Sequence, residues 1–361
     1  MDRVRDQFPA LRHGIYANTP ASGLLYDDLL EWRQSHELDQ LVSGSEHFAE
    51  CLATIETTRH TVARCFNATV EGVSLVPNFS IGMNLLMENQ PGSQRVLLVE
   101  DDYPSVNWPF EDRGFDIEYV KVSIDFEEEI AKKLRTHHFD ILALSVVQWL
   151  NGVLVDLEFI AGLKTEFPDL LIIGDGTQFC GMFPFSFNAS GFDVLGASGY
   201  KWMLGGYGCG FLLIKPSAMA RFTPKSVGFG SVVGDMDKRE GMTLSNRLEP
   251  GHLNAQCFGS MDFSLKFMEK IGLTKIGDHN TELSRILKET LAAMGLIEDS
   301  VVSRTAHSTI FSITNENDRY RALRRNDVVC SLRGGRIRVG FHFYNTFDEI
   351  DRLVKILKKL D

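Results

Sequence analysis

The sequence predicts an α/β fold, in which a large domain with a mostly parallel central sheet flanked by helices precedes a smaller C-terminal α+β domain. Short apolar runs alternate with amphipathic helical stretches through the first two thirds of the chain, which is typical of strand–helix–strand units. After Gly230 a polar stretch leads into long helices and strand-like segments. We expect an N-terminal segment (1–22) that joins the small domain or the active site, a large domain (23–250) and a small domain (251–361).

The elements follow from the period of the apolar residues. In the large domain we predict a helix over 157–166 and strands over 95–99, 117–122, 141–147, 170–173, 194–195 and 210–214. In the small domain we predict helices over 256–271, 280–294 and 347–360 and strands over 308–313, 327–332 and 336–340. Thr346 followed by Glu349 predicts a capping box at the start of the last helix.

Composition excludes several classes of protein. The net charge of −11 is spread along all 361 residues, which disfavours nucleic acid and anionic membranes as partners. The charged N-terminus resembles no export signal, and no apolar stretch approaches membrane-spanning length, so we expect a cytoplasmic protein. The six cysteines form no CxxC pair and the ten histidines form no HxxxH pair, so we expect neither disulfides nor a metal.

The most informative segment carries a carboxylate and an amine after neighbouring strands. One predicted strand is followed by Asp175, with Gln178 three residues later, and the next is followed by Ser198 and Lys201. In an open α/β sheet, residues just past the carboxyl ends of the strands line the ligand crevice, so we expect Asp175 and Lys201 to face one pocket. Taken singly, Lys201 could be a solvated surface charge and Asp175 a turn or helix cap.

The segments DGTQ and SGYK resemble the Asp-x-x-Gln and Ser-x-His-Lys motifs of the class V aminotransferase family, which has the fold type I architecture of pyridoxal phosphate enzymes. Tyr200 replaces the usual histidine, as in kynureninase-like branches. The resemblance implies a Schiff base between the cofactor and Lys201. It also implies that Asp175 pairs with the pyridinium nitrogen, Gln178 binds the phenolic oxygen and Ser198 helps to hold the phosphate.

Two further segments of the large domain resemble the family. The segment VPNFSIGMN (76–84) is similar to the phosphate loop, with Phe79 and Ser80 in place of a threonine pair, although Ser80 could also be a plain helix N-cap. Tyr103 stands in register with the ring that stacks on the cofactor; its alternative is an ordinary loop tyrosine. Gln148 could supply the amide near the phenolic oxygen, but the register also allows Trp149 at that position.

The rest of the resemblance concerns the substrate and the partner subunit. Asn18, in YANTPASG, lies in a segment similar to the family's opening loop near the active site, or in a simple turn. Arg338, in RIRVGFHFYNT, stands where relatives bind the substrate carboxylate; a surface ion pair is the alternative. His252, in EPGHLN, falls in a segment that commonly reaches the cofactor phosphate of the neighbouring subunit, which implies a homodimer with shared active sites.

The resemblance implies an aminotransferase acting on an amino acid or a related small amine. A kynureninase-like lyase or an isopenicillin N epimerase-like enzyme of the same fold is the alternative, and a binding protein without catalysis is a third possibility. A cysteine desulfurase is disfavoured because no loop with a nucleophilic cysteine is visible between Ile310 and Arg338, and Cys330 lies in an apolar strand-like run.

Overall fold

The computed structural model describes residues 2–232, 235–239 and 241–360. In chain order the strands are β1 (Ile15–Tyr16), β2 (Val73–Val76), β3 (Arg95–Val99), β4 (Asp116–Val120), β5 (Ile141–Ser145), β6 (Leu171–Asp175), β7 (Val194–Ser198), β8 (Gly210–Ile214), β9 (Ile310–Ile313), β10 (Val328–Val329), β11 (Ser331–Arg333) and β12 (Arg336–Gly340). The helices are α1 (Asp2–Arg5), α2 (Asp27–Ser43), α3 (Phe48–Cys65), α4 (Phe79–Leu86), α5 (Pro104–Glu111), α6 (Phe126–Thr136), α7 (Leu157–Glu166), α8 (Pro216–Met219), α9 (Leu244–Leu248), α10 (Ala255–Ile271), α11 (Leu273–Ala293), α12 (Asp299–Val302), α13 (Arg319–Arg325) and α14 (Phe347–Leu357).

A seven-stranded sheet forms the centre of the large domain, in the order β2-β8-β7-β6-β5-β3-β4. The five strands from β7 to β4 run parallel, and β8 is antiparallel to both of its neighbours. Parallel strands need crossover connections, which the intervening helices supply on both faces of the sheet. The predicted α/β fold with a mostly parallel sheet is confirmed.

Both faces of this sheet are covered by helices. In β5, Leu142 and Leu144 belong to one core cluster and Ile141 and Ala143 to another on the opposite face. The first face packs against α3, α6, α7 and α10, and the second against α4 and α5. Strands that are buried on both faces read as continuous apolar runs, and six of the seven strands of this sheet were predicted from the sequence; β2 was not.

The C-terminal part of the chain forms a three-stranded antiparallel sheet in the order β11-β12-β9, packed against α11 and α14. Near the N-terminus, β1 pairs in parallel with β10, Ile15 opposite Val328, so residues 15–16 join the C-terminal part. None of the helices in the described part of the chain has both the length and the apolar character needed to cross a bilayer.

Most element predictions agree with the structure, with shifts at the ends. The helix over 157–166 and the Thr346–Glu349 capping box are confirmed. One strand over 327–332 was wrong: the chain forms β10 and then β11, which pair with different strands, so it changes partner near Cys330. The helix expected from 280 begins at Leu273. The polar stretch after Gly230 lies partly outside the described residues.

Candidate active site

Three neighbouring strands end in polar residues at one edge of the large sheet. Ser145 ends β5, Asp175 ends β6 and Ser198 ends β7, and Ser145 lies directly opposite Asp175 in the sheet. These strands are parallel, so their carboxyl ends meet at the same edge. Lys201 follows β7 by three residues. The polar strand ends therefore gather at the sheet edge where the sequence predicts a ligand crevice.

Lys201 is buried, with only 5% of its surface exposed. Its ammonium nitrogen lies 5.6 Å from the centre of the Tyr103 ring and 5.3 Å from that of Tyr200. Burial lowers the pKa of Lys201 well below its ordinary value; Asp175 opposes this shift and Arg338 adds to it. The site thus favours the neutral amine, which is the form that attacks an aldehyde.

The backbone around Lys201 is held by the N-terminal loop. The Gly23 amide donates to the carbonyl of Tyr200 at 2.8 Å, and a Cβ on Gly23 would lie only 2.1 Å from the carbonyl oxygen of Lys201. Only glycine permits this approach. The loop that contains Asn18 is thereby fixed against the segment that carries the lysine.

Asp175 is the buried acid of the crevice. One carboxylate oxygen accepts a hydrogen bond of 2.8 Å from the amide of Thr177. Burial raises the pKa of Asp175, while the bonds from Thr177 and the charge of Lys201 lower it. Among the described residues no arginine or lysine forms an ion pair with Asp175, so a cationic ligand group would relieve the cost of its burial.

Gln178 bonds to the protein at both ends of its amide. Its nitrogen donates to the carbonyl of Pro20 at 3.0 Å, and its oxygen accepts from the indole of Trp202 at 2.8 Å. Gln178 therefore ties the N-terminal loop to the residues that follow Lys201. Its contact with a phenolic oxygen stays a prediction.

The residues predicted to hold a phosphate gather where α4 begins. The hydroxyl of Ser198 accepts from the amide of Phe79 at 2.9 Å, and Ser80 shares a hydrogen bond of 2.5 Å with Ser105. The Phe79 side chain is in the core, 2% exposed, so only its backbone faces Ser198. Asn78 is the N-cap of α4, through a bond of 2.9 Å from Ile81, so Ser80 is not the cap.

Asp102 is a site residue that the sequence interpretation missed. Its carboxylate accepts hydrogen bonds from the amide of Ser145 at 2.7 Å, the hydroxyl of Ser145 at 2.5 Å and the amide of Tyr103 at 2.6 Å. The amide of Gln148 also donates to it, at 3.4 Å. Burial raises the pKa of Asp102 in spite of these bonds. An acidic residue directly before the predicted stacking ring was the signal available in the sequence.

Tyr103 and Trp149 form the aromatic side of the crevice. Tyr103 is half-buried, and its ring meets that of Trp149 edge-on at 5.8 Å. The indole of Trp149 donates to the carbonyl of Asp101 at 3.0 Å. Trp149 therefore forms part of the aromatic surface, and it has no side-chain amide for the position predicted near the phenolic oxygen. Gln148 is engaged with Asp102 and with the carbonyl of Ser145.

Arg338 lies in the middle strand of the small sheet and is 3% exposed, which rules out a surface ion pair. One guanidinium nitrogen donates to the carbonyl of Trp149 at 2.7 Å, while the buried Nε has no partner. Burial lowers the pKa of Arg338 to about 10, and Arg333 adds to the shift. Within the described chain no carboxylate pairs with Arg338, so its charge is available to a ligand.

The remaining two predicted residues lie in different surroundings. Asn18 forms a parallel bridge with Gly340 at the end of β12, and its side-chain oxygen is buried without a partner. His252 is exposed and stacks on Phe229 at 5.1 Å, with Phe48 on another side at 6.0 Å. The ring contacts of His252 are thus made outside the crevice around Lys201.

These residues fit the chemistry of pyridoxal phosphate. A buried amine favoured in its neutral form suits the aldehyde, and a buried carboxylate without a basic partner suits the pyridinium nitrogen. Ser198 and Ser80 place hydroxyls at the beginning of a helix, where a phosphate is stabilised by free amides and the helix dipole. Tyr103 supplies a ring beside the amine.

Comparison with known proteins supports this chemistry. The family model for aminotransferase class-V matches residues 33–353. A probable cysteine desulfurase of Methanothermobacter thermautotrophicus is 22% identical over 99% of this chain and 97% of its own length. The uncharacterized aminotransferase YcbU of Bacillus subtilis is 24% identical over 97% of this chain and 95% of its own.

A solved structure shows the same fold. The complex of the cystine C-S lyase C-DES with cysteine persulfide superimposes with a TM-score of 0.87 at 18% identity, covering 97% of this chain and 99% of that one. The fold is therefore that of fold type I enzymes, and the cofactor is pyridoxal phosphate.

Proposed function

Because the chain belongs to the class V aminotransferase family and is a pyridoxal phosphate enzyme, we propose that it is an aminotransferase acting on an amino acid or a related small amine. The observation that carries this proposal is the arrangement of Lys201, Asp175 and Arg338. An amine and a carboxylate are buried in one crevice, and a buried guanidinium without a carboxylate partner lies within electrostatic reach of the amine.

Lys201 is the residue that moves the proton. Pyridoxal phosphate, when bound, supplies an electron sink for the bond that breaks at the substrate Cα. The neutral amine of Lys201 would take up the Cα proton of the substrate and release it again, which requires a pKa near the working pH. Burial shifts the pKa of Lys201 in that direction.

Asp175 acts on the cofactor, and Arg338 acts on the substrate. Asp175 would keep the ring nitrogen of the cofactor protonated, because a buried carboxylate is stabilised by an adjacent cation. Arg338 binds the substrate carboxylate through its planar pair of donors. This fixes the Cα–H bond in reach of Lys201, and the aromatic wall of Tyr103 and Trp149 excludes water.

The second candidate is a lyase that cleaves a C–S bond, which is the activity in the name of the similar structure C-DES. A desulfurase that carries sulfur on its own thiol is less favoured, since a reactive thiol must be accessible and easily ionised. Cys330 is 5% exposed and burial raises its pKa to about 11, while Cys180 is 1% exposed. The turn between β11 and β12 is the pair Gly334-Gly335, without a cysteine.

An absorption spectrum and product analysis test the proposal. The purified protein should absorb in the visible range, and borohydride reduction should attach the cofactor to the peptide that contains Lys201. Incubation with an amino acid and a keto acid should then yield the keto acid of the donor. A label on another lysine would reject the site. Pyruvate with sulfide from cysteine would favour the lyase, and an inverted centre would favour an epimerase.

We further propose that the protein is a homodimer in which His252 of one subunit reaches the site of the other. The exposure of His252, Phe48 and Phe229 in the single chain supports this arrangement. Mixing inactive Lys201→Ala chains with weakly active His252→Ala chains should restore activity, because one of the two sites in a mixed dimer would then be complete. Mixtures no more active than the separate variants would contradict the shared site.

A further inference from the structure

Two histidines and a cysteine meet outside the active-site crevice. His36 lies on α2, His47 ends the short 3-10 turn Gly44–His47, and Cys51 lies in the first turn of α3. One ring nitrogen of each histidine and the Cys51 sulfur all lie within 4.8 Å of one another. His47 and Cys51 are four residues apart at the beginning of a helix, so they share one face, and the turn folds His36 back towards them.

His47 is a buried side chain without a hydrogen-bond partner. It is 5% exposed, and neither of its ring nitrogens has a partner. A carboxylate oxygen of Glu50 lies 2.8 Å from Nδ1, but outside the geometry of a hydrogen bond. The other ring nitrogen, Nε2, has no hydrogen-bond partner among the described residues, and such a buried polar atom costs folding free energy that a ligand at the ring would recover.

His36 is held in an orientation suited to binding. Its ring stacks on Trp32 at 5.3 Å and meets the His47 ring edge-on at 5.0 Å. Glu37, Asp39 and Glu50 lie close enough to act on His36 electrostatically, so the surroundings attract a cation.

We propose that His36, His47 and Cys51 form a zinc site. Imidazole nitrogen and thiolate sulfur are both ligands that zinc takes, whereas magnesium and calcium prefer oxygen. Zinc lies about 2.0–2.3 Å from such ligands, so small side-chain movements from the present spacing close the site. The site borders a groove of ≈ 610 Å³ that His36 and Cys51 help to line, which leaves a fourth position for water.

The positions of these ligands along the chain explain why no metal site was recognised from the sequence. His36 and His47 are eleven positions apart, separated by the end of a helix and a turn, so no short motif joins them. The proposal therefore departs from the absence of metal expected from the sequence. Bound zinc would tie α2 to the start of α3, a helix that packs against α10 in the core of the large domain.

The test uses the full-length enzyme with its cofactor bound, stripped of metal with a soluble chelator. We expect one zinc ion per chain after reloading, and a higher midpoint of thermal unfolding with zinc than without it. Cobalt in place of zinc should give the visible bands of a tetrahedral site with a thiolate ligand, to the red of the cofactor absorption.

The ligands are tested one at a time against matched controls. His47→Ala, His36→Gln and Cys51→Ser should each weaken zinc binding at least about tenfold, and Cys51→Ser should remove the thiolate signature of cobalt. His60→Gln, on the exposed side of α3, and Cys257→Ser should bind zinc like the original chain. The cofactor spectrum reports whether each variant is folded. An original chain that binds no zinc, or folded ligand variants that bind it equally well, would overturn the proposal.

Discussion

Two buried basic side chains, Lys201 and Arg338, act on each other electrostatically but are carried by different sheets. Lys201 follows the carboxyl end of a parallel strand, and a buried carboxylate of the same sheet edge acts on it. Arg338 projects from the middle of an antiparallel sheet, between Ile337 and Val339, which face the core, and no carboxylate of the described chain pairs with it. The basic group of the first region is thus partly balanced by a carboxylate, and that of the second region has no carboxylate to balance it in the described chain.

The largest loss of kcat should follow from removing the carboxylate of Asp175. Asp175→Asn should lower kcat by about 10²–10³-fold, because the amide does not stabilise a protonated ring nitrogen. The loss should be similar for amino acids and for amines without a carboxylate. Asp101→Asn, an exposed neighbour of the site, is the control. A normal kcat in Asp175→Asn would show that Asp175 does not keep the ring nitrogen of the cofactor protonated.

Arg338, which pairs with no carboxylate of the described chain, should determine which substrates the enzyme prefers. Arg338→Ala should lower kcat/KM for amino acids by about 10–100-fold, the value of a charged hydrogen-bond pair, while hardly changing it for amines that lack a carboxylate. Arg333→Ala, an exposed cation nearby, should have a smaller effect. Equal losses for both substrate classes would mean that Arg338 supports the site and does not select the substrate.

The pH dependence should reveal how the two regions act on each other. Neutral Lys201 captures the cofactor, so the rate of capture by cofactor-free enzyme should rise with pH and level off well below the ordinary lysine pKa of about 10.4. Arg338→Ala removes a cation that lowers the pKa of Lys201, so the midpoint should move up; Asp175→Asn should move it down. Stopped-flow absorbance at several pH values measures the midpoint, and an unchanged midpoint in both variants would refute the coupling.

The smallest change in turnover is expected for Asp102. The carboxylate of Asp102 accepts hydrogen bonds from Ser145 and Tyr103. In Asp102→Asn one carboxylate oxygen becomes an NH2 group, which cannot accept a hydrogen bond from these donors. The free energy of unfolding should fall by about 1–3 kcal/mol, with only a few-fold change in kcat. Urea denaturation followed by fluorescence measures the first quantity. A loss of kcat as large as in Asp175→Asn, without a loss of stability, would place Asp102 among the catalytic residues.

The sequence was informative where one chain segment carries the chemistry. The apolar runs that end in Asp175 and precede Lys201 predicted that the two residues lie near each other, because parallel strands bring their carboxyl ends together, and the two groups do act on each other electrostatically. The sequence was uninformative where the role of a residue depends on contacts made in the folded chain. Nothing local indicated that both ends of the Gln178 amide are bonded within the protein, or that Asn78 and not Ser80 caps α4.

The sequence by itself determined the α/β class and the family, and it predicted the lysine on which the proposed chemistry depends, since buried strands and a motif-bearing segment are local patterns. Only the tertiary structure decided which charges face one another. Arg338 meets Trp149, and His36 meets His47 and Cys51, through folding of segments that no sequence period connects. Electrostatic and coordination contacts depend on distances in space, and the packing of the whole chain sets those distances.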